Sequence, residues 1–223
     1  MDASLQGFVD RVDRWKDGLH SYFRVVDYKT GKKDFDYCDV YNGVGLQMLL
    51  YLFALERGGD DLLGKSCIGA GVQYFPARFP MVRAEGRLTP EAAQAERAKQ
   101  IRRSGLVLMD EDVLQAMEPG EQFRLLSCKR RADGSVTGDV ATREQMELLE
   151  EYVFRVVGAL VDQIASGDVS PNPYTRGTSH NACRFCPYEP VCRLSREAGR
   201  RNYKMMTARD FWQRIEQEVN RRG

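Results

Sequence analysis

Two acidic residues and a lysine are spaced so that together they could cleave nucleic acid. Asp10 lies upstream of the run Asp27-Tyr28-Lys29. Two carboxylates can share one divalent cation, and an ammonium beside that ion can orient an attacking water or steady a phosphorane-like charge. Asp and Lys are common residues, however, and a solvent-facing hairpin edge with an ordinary Asp–Lys pair would show the same spacing. The spacing raises metal-dependent cleavage as a hypothesis and leaves the surface pair open.

The predicted hairpin gives this hypothesis a geometry. Asp17-Gly18 is typical of a two-residue turn between two strand-like segments, Leu5–Trp15 and His20–Tyr28. In that register Asp10 would lie opposite Val25, with Asp27 one diagonal step away on the same face and Lys29 two residues further along it. Like charges on one face of a strand pair repel unless a cation or a partner intervenes. Two aspartates on this face could therefore share one divalent cation.

A second candidate site lies near the other end of the chain. Its three cysteines form a C-x2-C-x5-C pattern: Cys183, Cys186 and Cys192. No signal peptide is recognised, and in a reducing compartment clustered thiols bind metal more often than they form disulfides. Four thiolates commonly hold a [4Fe–4S] cluster, whereas His180 with the three cysteines would suit zinc. Of the remaining cysteines, Cys67 and Cys128 are expected to be buried in strands.

Composition limits the number of domains but does not identify a binding partner. The chain has 223 residues, 43% hydrophobic residues and a formal net charge of +1, which fits one large domain or a domain with a small appendage. Three basic clusters, Lys99–Arg103, Lys129–Arg131 and Arg193–Lys204, could bind phosphate or could simply be solvated surfaces. The most apolar stretch, Val44–Leu55, is too short to span a bilayer.

The order of elements predicts a mixed α/β sheet with a helical crossover. A helix over 44–57, ended by Gly58-Gly59, precedes a buried strand over 67–76. Gln47 and Tyr51 share a face of this helix. Their side chains could point at the metal site or at DNA; the alternative is that both simply pack at the boundary between the helix and the sheet.

The second half of the chain is predicted to hold an insertion over 80–119. The expected elements are a helix from the Thr89 cap to Ser104, a hairpin over 122–140, a helix over 142–166, a cysteine-bearing loop over 167–181, and a last helix capped by Thr207. We divide the chain into a core over 1–166 and a C-terminal cysteine-cluster segment with a terminal helix over 167–223.

Three motifs carry a resemblance to a known family: Gly7–Asp13, Val26–Gly31 and Gly45–Tyr51. Together they resemble the RecB-type nuclease domain of the PD-(D/E)xK superfamily, and within it the AddB family, the B subunits of bacterial AddAB helicase–nucleases. Gly71–Arg78, Gly105–Leu108 and the terminal cysteines look similar too, so the resemblance covers nearly the whole chain.

The resemblance implies a restriction-endonuclease-like fold, a mixed sheet flanked by helices. It also implies that Asp10 and Asp27 bind Mg²⁺ together with the backbone carbonyl of Tyr28, and that Lys29 is the catalytic lysine. Gln47 and Tyr51 match the motif that follows. The family's [4Fe–4S] cluster uses Cys183, Cys186 and Cys192 with a distant N-terminal cysteine that this chain lacks.

The implied activity is cleavage of one DNA strand in double-strand-break repair by recombination, on single strands released by unwinding. The implied partner is the AddA helicase–nuclease subunit, in the bacterial cytoplasm and without a membrane. Because the family's preceding helix is missing, we expect an excised fragment, whose own activity and cluster are in doubt. A Cas4-like or phage exonuclease with an iron–sulfur cluster is one alternative; a metal-stapled DNA-binding module without turnover is another.

Overall fold

The computed structural model describes residues 3–18, 20–64, 66–78, 80–82, 84–177, 180–192, 194 and 200–221, so Arg193 of the third basic cluster lies outside it. Its strands are β1 (Arg11–Lys16), β2 (Ser21–Lys29), β3 (Cys67–Pro76), β4 (Ser104–Leu108), β5 (Cys128–Arg130), β6 (Val136–Gly138), β7 (Val140–Ala141), β8 (Tyr174–Arg176), β9 (His180–Asn181) and β10 (Arg201–Asn202). Its helices are α1 (Tyr37–Tyr41), α2 (Gln47–Gly58), α3 (Asp60–Leu63), α4 (Pro90–Gln100), α5 (Glu111–Met117), α6 (Arg143–Ala165), α7 (Glu189–Cys192) and α8 (Ala208–Asn220).

The main sheet has five strands within the described residues, in the order β1-β2-β3-β4-β7. β1 and β2 form an antiparallel hairpin, β2 and β3 are parallel, β3 and β4 are antiparallel, and β4 and β7 are parallel. A parallel pair needs a crossover, and α1, α2 and α3 lie between β2 and β3 in the chain. The predicted mixed α/β sheet is therefore confirmed.

The core explains why the central elements hold their positions. α2 packs against β2 and β3, where Leu49, Leu52 and Phe53 are almost fully buried. On β2, Phe23 and Val25 are equally buried, so these alternating positions cover one face of the sheet. Asp27 and Lys29 continue the same alternation at the end of β2.

Helix ends follow the capping signals in the sequence. The Thr142 hydroxyl accepts the backbone N–H of Gln145 at 3.2 Å, and the Gln145 side chain accepts the N–H of Thr142 at 2.9 Å, at the start of α6. Thr207 and Asp210 form the same reciprocal pair before α8. Thr89 accepts the N–H of Ala92 before α4. Each of these predicted helix starts is confirmed.

Several boundaries differ from the sequence expectation: α2 begins at Gln47 instead of Val44, β5 begins at Cys128 instead of Gln122, and the expected loop over 167–181 contains β8 and β9. The first strand begins at Arg11 instead of Leu5. α4 ends at Gln100 rather than Ser104, because the residues from Ser104 on pair with β3 as β4. β4 thus brings part of the predicted insertion over 80–119 into the main sheet. The expected loop over 36–42 contains α1, whose Asp36 carboxylate caps the N–H groups of Cys38 and Asp39.

The chain divides into two compact units. The larger comprises residues 5–35 and 46–153 and contains the main sheet; the smaller comprises residues 3–4, 36–45 and the described residues from 154 on. Within the smaller unit the Tyr37 and Phe211 rings lie 5.1 Å apart, joining α1 to α8, and Arg176 pairs with Asp36 at 2.7 Å. Among the described helices, none combines the length and the apolar character needed to cross a membrane.

Candidate active site

The β1–β2 hairpin sets the level at which the two aspartates meet. Arg11 pairs with Val26 and Lys16 with Ser21. Continued by one residue beyond Arg11, this register places Asp10 opposite Asp27. The predicted register, with Asp10 opposite Val25, is wrong by two residues. A two-residue shift leaves every side chain on its face, because side chains in a strand alternate with a period of two.

The turn explains the shift. It spans four residues, from Asp17 to His20, and the N–H of Asp17 donates to the carbonyl of His20 at 3.2 Å. The Asp17 carboxylate also accepts the N–H of His20 at 2.6 Å, and Gly18 adopts φ +92°. Asp17 and His20 therefore face each other across the turn, so the turn is centred one residue further along the chain than Asp17-Gly18 and the pairing moves by two residues.

Asp10 itself stands just before β1. Its carboxylate accepts a hydrogen bond from the backbone N–H of Tyr28 at 3.1 Å. If the β1–β2 ladder continued, a backbone carbonyl of the β1 side would accept this hydrogen bond instead. The side chain is therefore fixed against β2 beside Asp27. The Tyr28 ring packs edge-on against Phe75 at 6.0 Å, and its hydroxyl accepts from Arg11. Because side chains alternate, this ring faces away from Asp27, and only the Tyr28 backbone is available there.

Asp27 and Lys29 share a face and meet directly. Asp27 Oδ2 lies 2.5 Å from Lys29 Nζ, with side-chain exposures of 14% and 37%. Despite this short charge contact, the same oxygen is buried and has no aligned hydrogen bond within the described chain. β2 lies between β1 and β3, so the pair is not on a solvent-facing hairpin edge. A buried carboxylate oxygen without a hydrogen bond can still accept a cation.

Two carboxylates are enough to bind Mg²⁺, which keeps waters among its ligands, but too few for a metal whose ligands are all protein side chains. No group of three or more His, Cys, Asp or Glu side chains among the described residues is placed to hold a metal ion. Mg²⁺ usually keeps several waters and binds through one or two carboxylates plus substrate phosphates. Asp10 and Asp27 provide that number of hard oxygen ligands, so the residues present fit the ion.

Tyr74 is a site residue that the sequence alone did not point out. It is the β3 partner of Asp27 and is buried. Burial, and then the negative charge of Asp27, raises the pKa of Tyr74 to about 12. Its phenol therefore stays protonated at neutral pH and can act as a hydrogen-bond donor. The signal lay in the parallel pairing of β2 with β3, which no local pattern specifies.

Gln47 and Tyr51 form a second polar pair, on α2. Gln47 Nε2 donates to the Tyr51 hydroxyl at 2.9 Å, so the predicted common face is confirmed. The segment that leads to Asp10 passes directly over this pair. A methyl group on Gly7 would lie 2.4 Å from the Tyr51 hydroxyl oxygen and 2.6 Å from Cε1. Glycine is therefore the residue that allows this close approach.

Asp13, two strand positions beyond Arg11, anchors the opposite face of the sheet. Burial alone would raise its pKa, but hydrogen bonds from Arg11 and Arg24 outweigh that effect and hold the pKa of Asp13 below its usual value. Arg24 also donates to Gln73 at 2.8 Å, a fully buried amide. This network stiffens the hairpin that carries Asp10 and Asp27.

The cysteine motif lies in the smaller unit. The N–H of Cys186 donates to the carbonyl of Cys183 at 3.1 Å, and Cys192 ends α7. The three thiols and His180 do not form a metal-binding group in the described structure, so both the iron–sulfur cluster and the zinc site stay predictions. Cys67 and Cys128 are buried, as predicted, and so is Cys38.

Comparison with known proteins places this geometry in a family. The family model described as the PD-(D/E)XK nuclease superfamily matches residues 1–193. The chain belongs to the PD-(D/E)XK nuclease superfamily. The mixed sheet flanked by helices is the fold of this superfamily.

Curated relatives narrow the comparison. The chain is 37% identical over 218 residues to a protein of Symbiobacterium thermophilum, covering 95% of this chain and 18% of the relative. It is 37% identical over 215 residues to one of Moorella thermoacetica, covering 94% and 19%. With a protein of Thermoanaerobacter sp. (strain X514) it shares 33% over 230 residues, covering 100% and 20%. All three are named as the B subunit of an ATP-dependent helicase/deoxyribonuclease, and the chain spans about a fifth of their length.

Proposed function

We propose that this chain is the nuclease domain of a helicase/deoxyribonuclease B subunit and that it hydrolyses phosphodiester bonds of single-stranded DNA with Mg²⁺. The observation that supports this most is the Asp27–Lys29 pair beside Asp10: a buried carboxylate oxygen without a hydrogen bond, an ammonium 2.5 Å away, and a second carboxylate fixed to the next backbone amide.

In this proposal Asp10 and Asp27 hold the ion, together with the Tyr28 backbone carbonyl that the family resemblance implies. When bound, Mg²⁺ polarises the scissile phosphate and lowers the pKa of a bound water. Lys29 presents an ammonium to the attacking water and to the charge that develops on the phosphate oxygens. The protonated Tyr74 hydroxyl supplies a neutral donor next to Asp27.

Gln47 and Tyr51 hold the entry segment in place. Their hydrogen bond fixes the Tyr51 ring, and the ring contacts Gly7 three residues before Asp10. We assign them a positioning role for Asp10, because the contacts that support a role run through that segment.

The biological setting extends the same proposal. Such a protein acts with a helicase-bearing partner, which we take to be the AddA subunit, in recombinational repair of double-strand breaks. The C-x2-C-x5-C thiols would supply three ligands of a [4Fe–4S] cluster in the intact protein. Iron and sulfide analysis of the intact protein would test that assignment, and the absence of both elements would refute it.

Cleavage of linear single-stranded DNA in Mg²⁺ tests the enzymatic proposal. We expect the wild-type chain to cut and the Asp27→Asn and Lys29→Gln variants to lose at least about a hundredfold in rate. Glu147→Gln is the matched control, because its carboxylate is 60% exposed on α6 and its ion-pair partner, Arg143, lies on the same helix. Unchanged cleavage in both site variants would defeat the proposal and would favour a DNA-binding module without turnover.

A further inference from the structure

Phe8 is an aromatic residue in the segment that leads to Asp10, and it is 87% exposed. A single exposed apolar side chain is common on protein surfaces and does not by itself indicate a function. What distinguishes Phe8 is its position, because only Val9 separates it from a candidate ligand of the Mg²⁺ ion. The Cα atoms of Phe8 and Asp10 are at most about 7 Å apart, since a chain extends by no more than about 3.3–3.6 Å per residue.

Contacts on both sides fix the position of Phe8. On one side, Gly7 lies against the Tyr51 ring, where an added Cβ would be only 2.4 Å from the hydroxyl oxygen. On the other side, the Asp10 carboxylate accepts a hydrogen bond from the Tyr28 backbone N–H at 3.1 Å. Both contacts belong to the candidate active site. The exposed ring is therefore held beside that site.

Only two aromatic residues are exposed in the described part of the larger unit, Phe8 and Tyr28. The Tyr28 ring packs edge-on against Phe75, and its hydroxyl accepts from Arg11, on the face of the sheet that points away from Asp27. Among the described aromatic residues of this unit, Phe8 alone combines an exposed ring with a place beside the two aspartates.

Single-stranded DNA, the substrate class of the proposed function, carries the chemistry that an exposed ring can bind. Each phosphate of a strand is flanked by a nucleobase, and an unpaired base presents a flat face on which an aromatic side chain can stack. Proteins that bind single strands without reading their sequence combine backbone contacts with such stacking. A phosphate bound at Asp10 and Asp27 would bring a neighbouring base into the region of Phe8.

We propose that Phe8 stacks on a nucleobase next to the scissile phosphate and so positions the strand in the active site. This inference rests on the proposed nuclease function and names a substrate-binding residue for it. The contact is apolar, so it adds affinity without adding a charge contact. Every base permits it, so it imposes no recognition sequence, and it needs an unstacked base, so it favours single strands over duplex DNA.

Binding without turnover tests this contact. Fluorescence anisotropy of a labelled oligodeoxythymidylate is measured in EDTA over a range of salt concentrations, for wild type, Phe8→Ala, Phe8→Trp and Leu62→Ala. Leu62 serves as the control, because it is an apolar residue of α3 in the same unit and is 76% exposed. Phe8→Ala should bind about tenfold more weakly than wild type, whereas Phe8→Trp should bind at least as tightly. Leu62→Ala should match wild type.

Salt dependence and removal of the bases separate stacking from other causes of weaker binding. The slope of log K against log salt should be the same for wild type and Phe8→Ala, because no phosphate contact is lost. An abasic oligonucleotide of the same length should bind wild type and Phe8→Ala equally. A tenfold loss that persists on the abasic strand would overturn the proposal, because Phe8 would then act on something other than a base.

The outcomes also separate stacking from the chemistry. Because Phe8 is exposed, Phe8→Ala should fold as wild type does, which circular dichroism checks. Binding by Phe8→Ala equal to that of Leu62→Ala, or no binding of single strands by wild type, would overturn the stacking contact. If wild type cuts DNA in Mg²⁺ and Phe8→Ala binds as tightly, the contact fails and the nuclease proposal stands. If wild type binds through Phe8 but never cuts, the nuclease proposal fails and the contact stands.

Discussion

Replacing Asp27 by asparagine should separate metal binding from folding. The change keeps the size of the side chain and removes the charge of a carboxylate that is 14% exposed. Without metal, an unsatisfied buried acceptor costs about 1–3 kcal/mol, and an ion pair such as that with the partly exposed Lys29 contributes about 0.2–1 kcal/mol. The unfolding free energy of the metal-free variant should therefore equal that of wild type or exceed it by up to about 3 kcal/mol.

Magnesium should stabilise wild type but not the variant. A ligand at about one hundred times its Kd stabilises the folded state by about 2.7 kcal/mol. For a chain of this length, about 2–4 °C of Tm per kcal/mol gives a shift of roughly 5–11 °C in wild type. Asp27→Asn should show almost none of this shift, whereas Glu147→Gln should show all of it.

Thermal unfolding followed by circular dichroism, with and without Mg²⁺, measures both effects. The metal-free melts test the stability argument, and the differences between paired melts test the binding argument. An Asp27→Asn variant that gains the full Mg²⁺ shift would refute the reasoning, because the ion would then bind elsewhere.

Three further predictions follow from contacts in the larger unit. Lys29→Gln should lose cleavage but keep the full Mg²⁺ shift in Tm, because it removes the ammonium and leaves Asp27 free to bind the ion; a lost shift would show that Lys29 supports the metal site itself. Gly7→Ala should lower the unfolding free energy by up to about 1 kcal/mol in chemical denaturation, because the added methyl overlaps the outer end of the half-buried Tyr51 ring and that ring must move; a stabilised variant would contradict the close approach. Asp13 has a lowered folded-state pKa, so its stabilising contribution is present above its unfolded value and is lost as the pH falls through the folded one. Asp13→Asn should therefore make stability less dependent on pH below about 4 in acid-unfolding titrations, and an unchanged pH profile would refute the linkage.

Local signals in the sequence predicted the elements well where one cap or one apolar run decides them. The limits of β3 agree with the prediction, and the caps at Thr89, Thr142 and Thr207 begin their helices as expected. β4 was missed because Ser104–Leu108 follows a good helix and becomes a strand only by pairing with β3. Pairing between strands that are far apart in the sequence cannot be predicted from the residues of one short segment.

The candidate site was predictable in its residue types and faces but not in its surroundings. The alternation of side chains along β2 predicted that Asp27 and Lys29 share a face. This prediction is unaffected by the register error, because a shift of two residues leaves each side chain on the same face. The position of the turn was missed because the hydrogen bond from the His20 N–H to the Asp17 carboxylate depends on side-chain geometry. Tyr74 could not be assigned, since it reaches the site through β3, far away in the sequence.

The central claim is that Asp10 and Asp27 hold one divalent cation together. Anomalous diffraction from crystals of the wild-type protein soaked in Mn²⁺ tests it most directly, since manganese favours the same oxygen ligands as magnesium. We predict one strong anomalous peak in contact with both carboxylates, at about 2.1 Å from an oxygen of each. A peak that contacts only one of the two aspartates, or no peak beside them, would contradict the account.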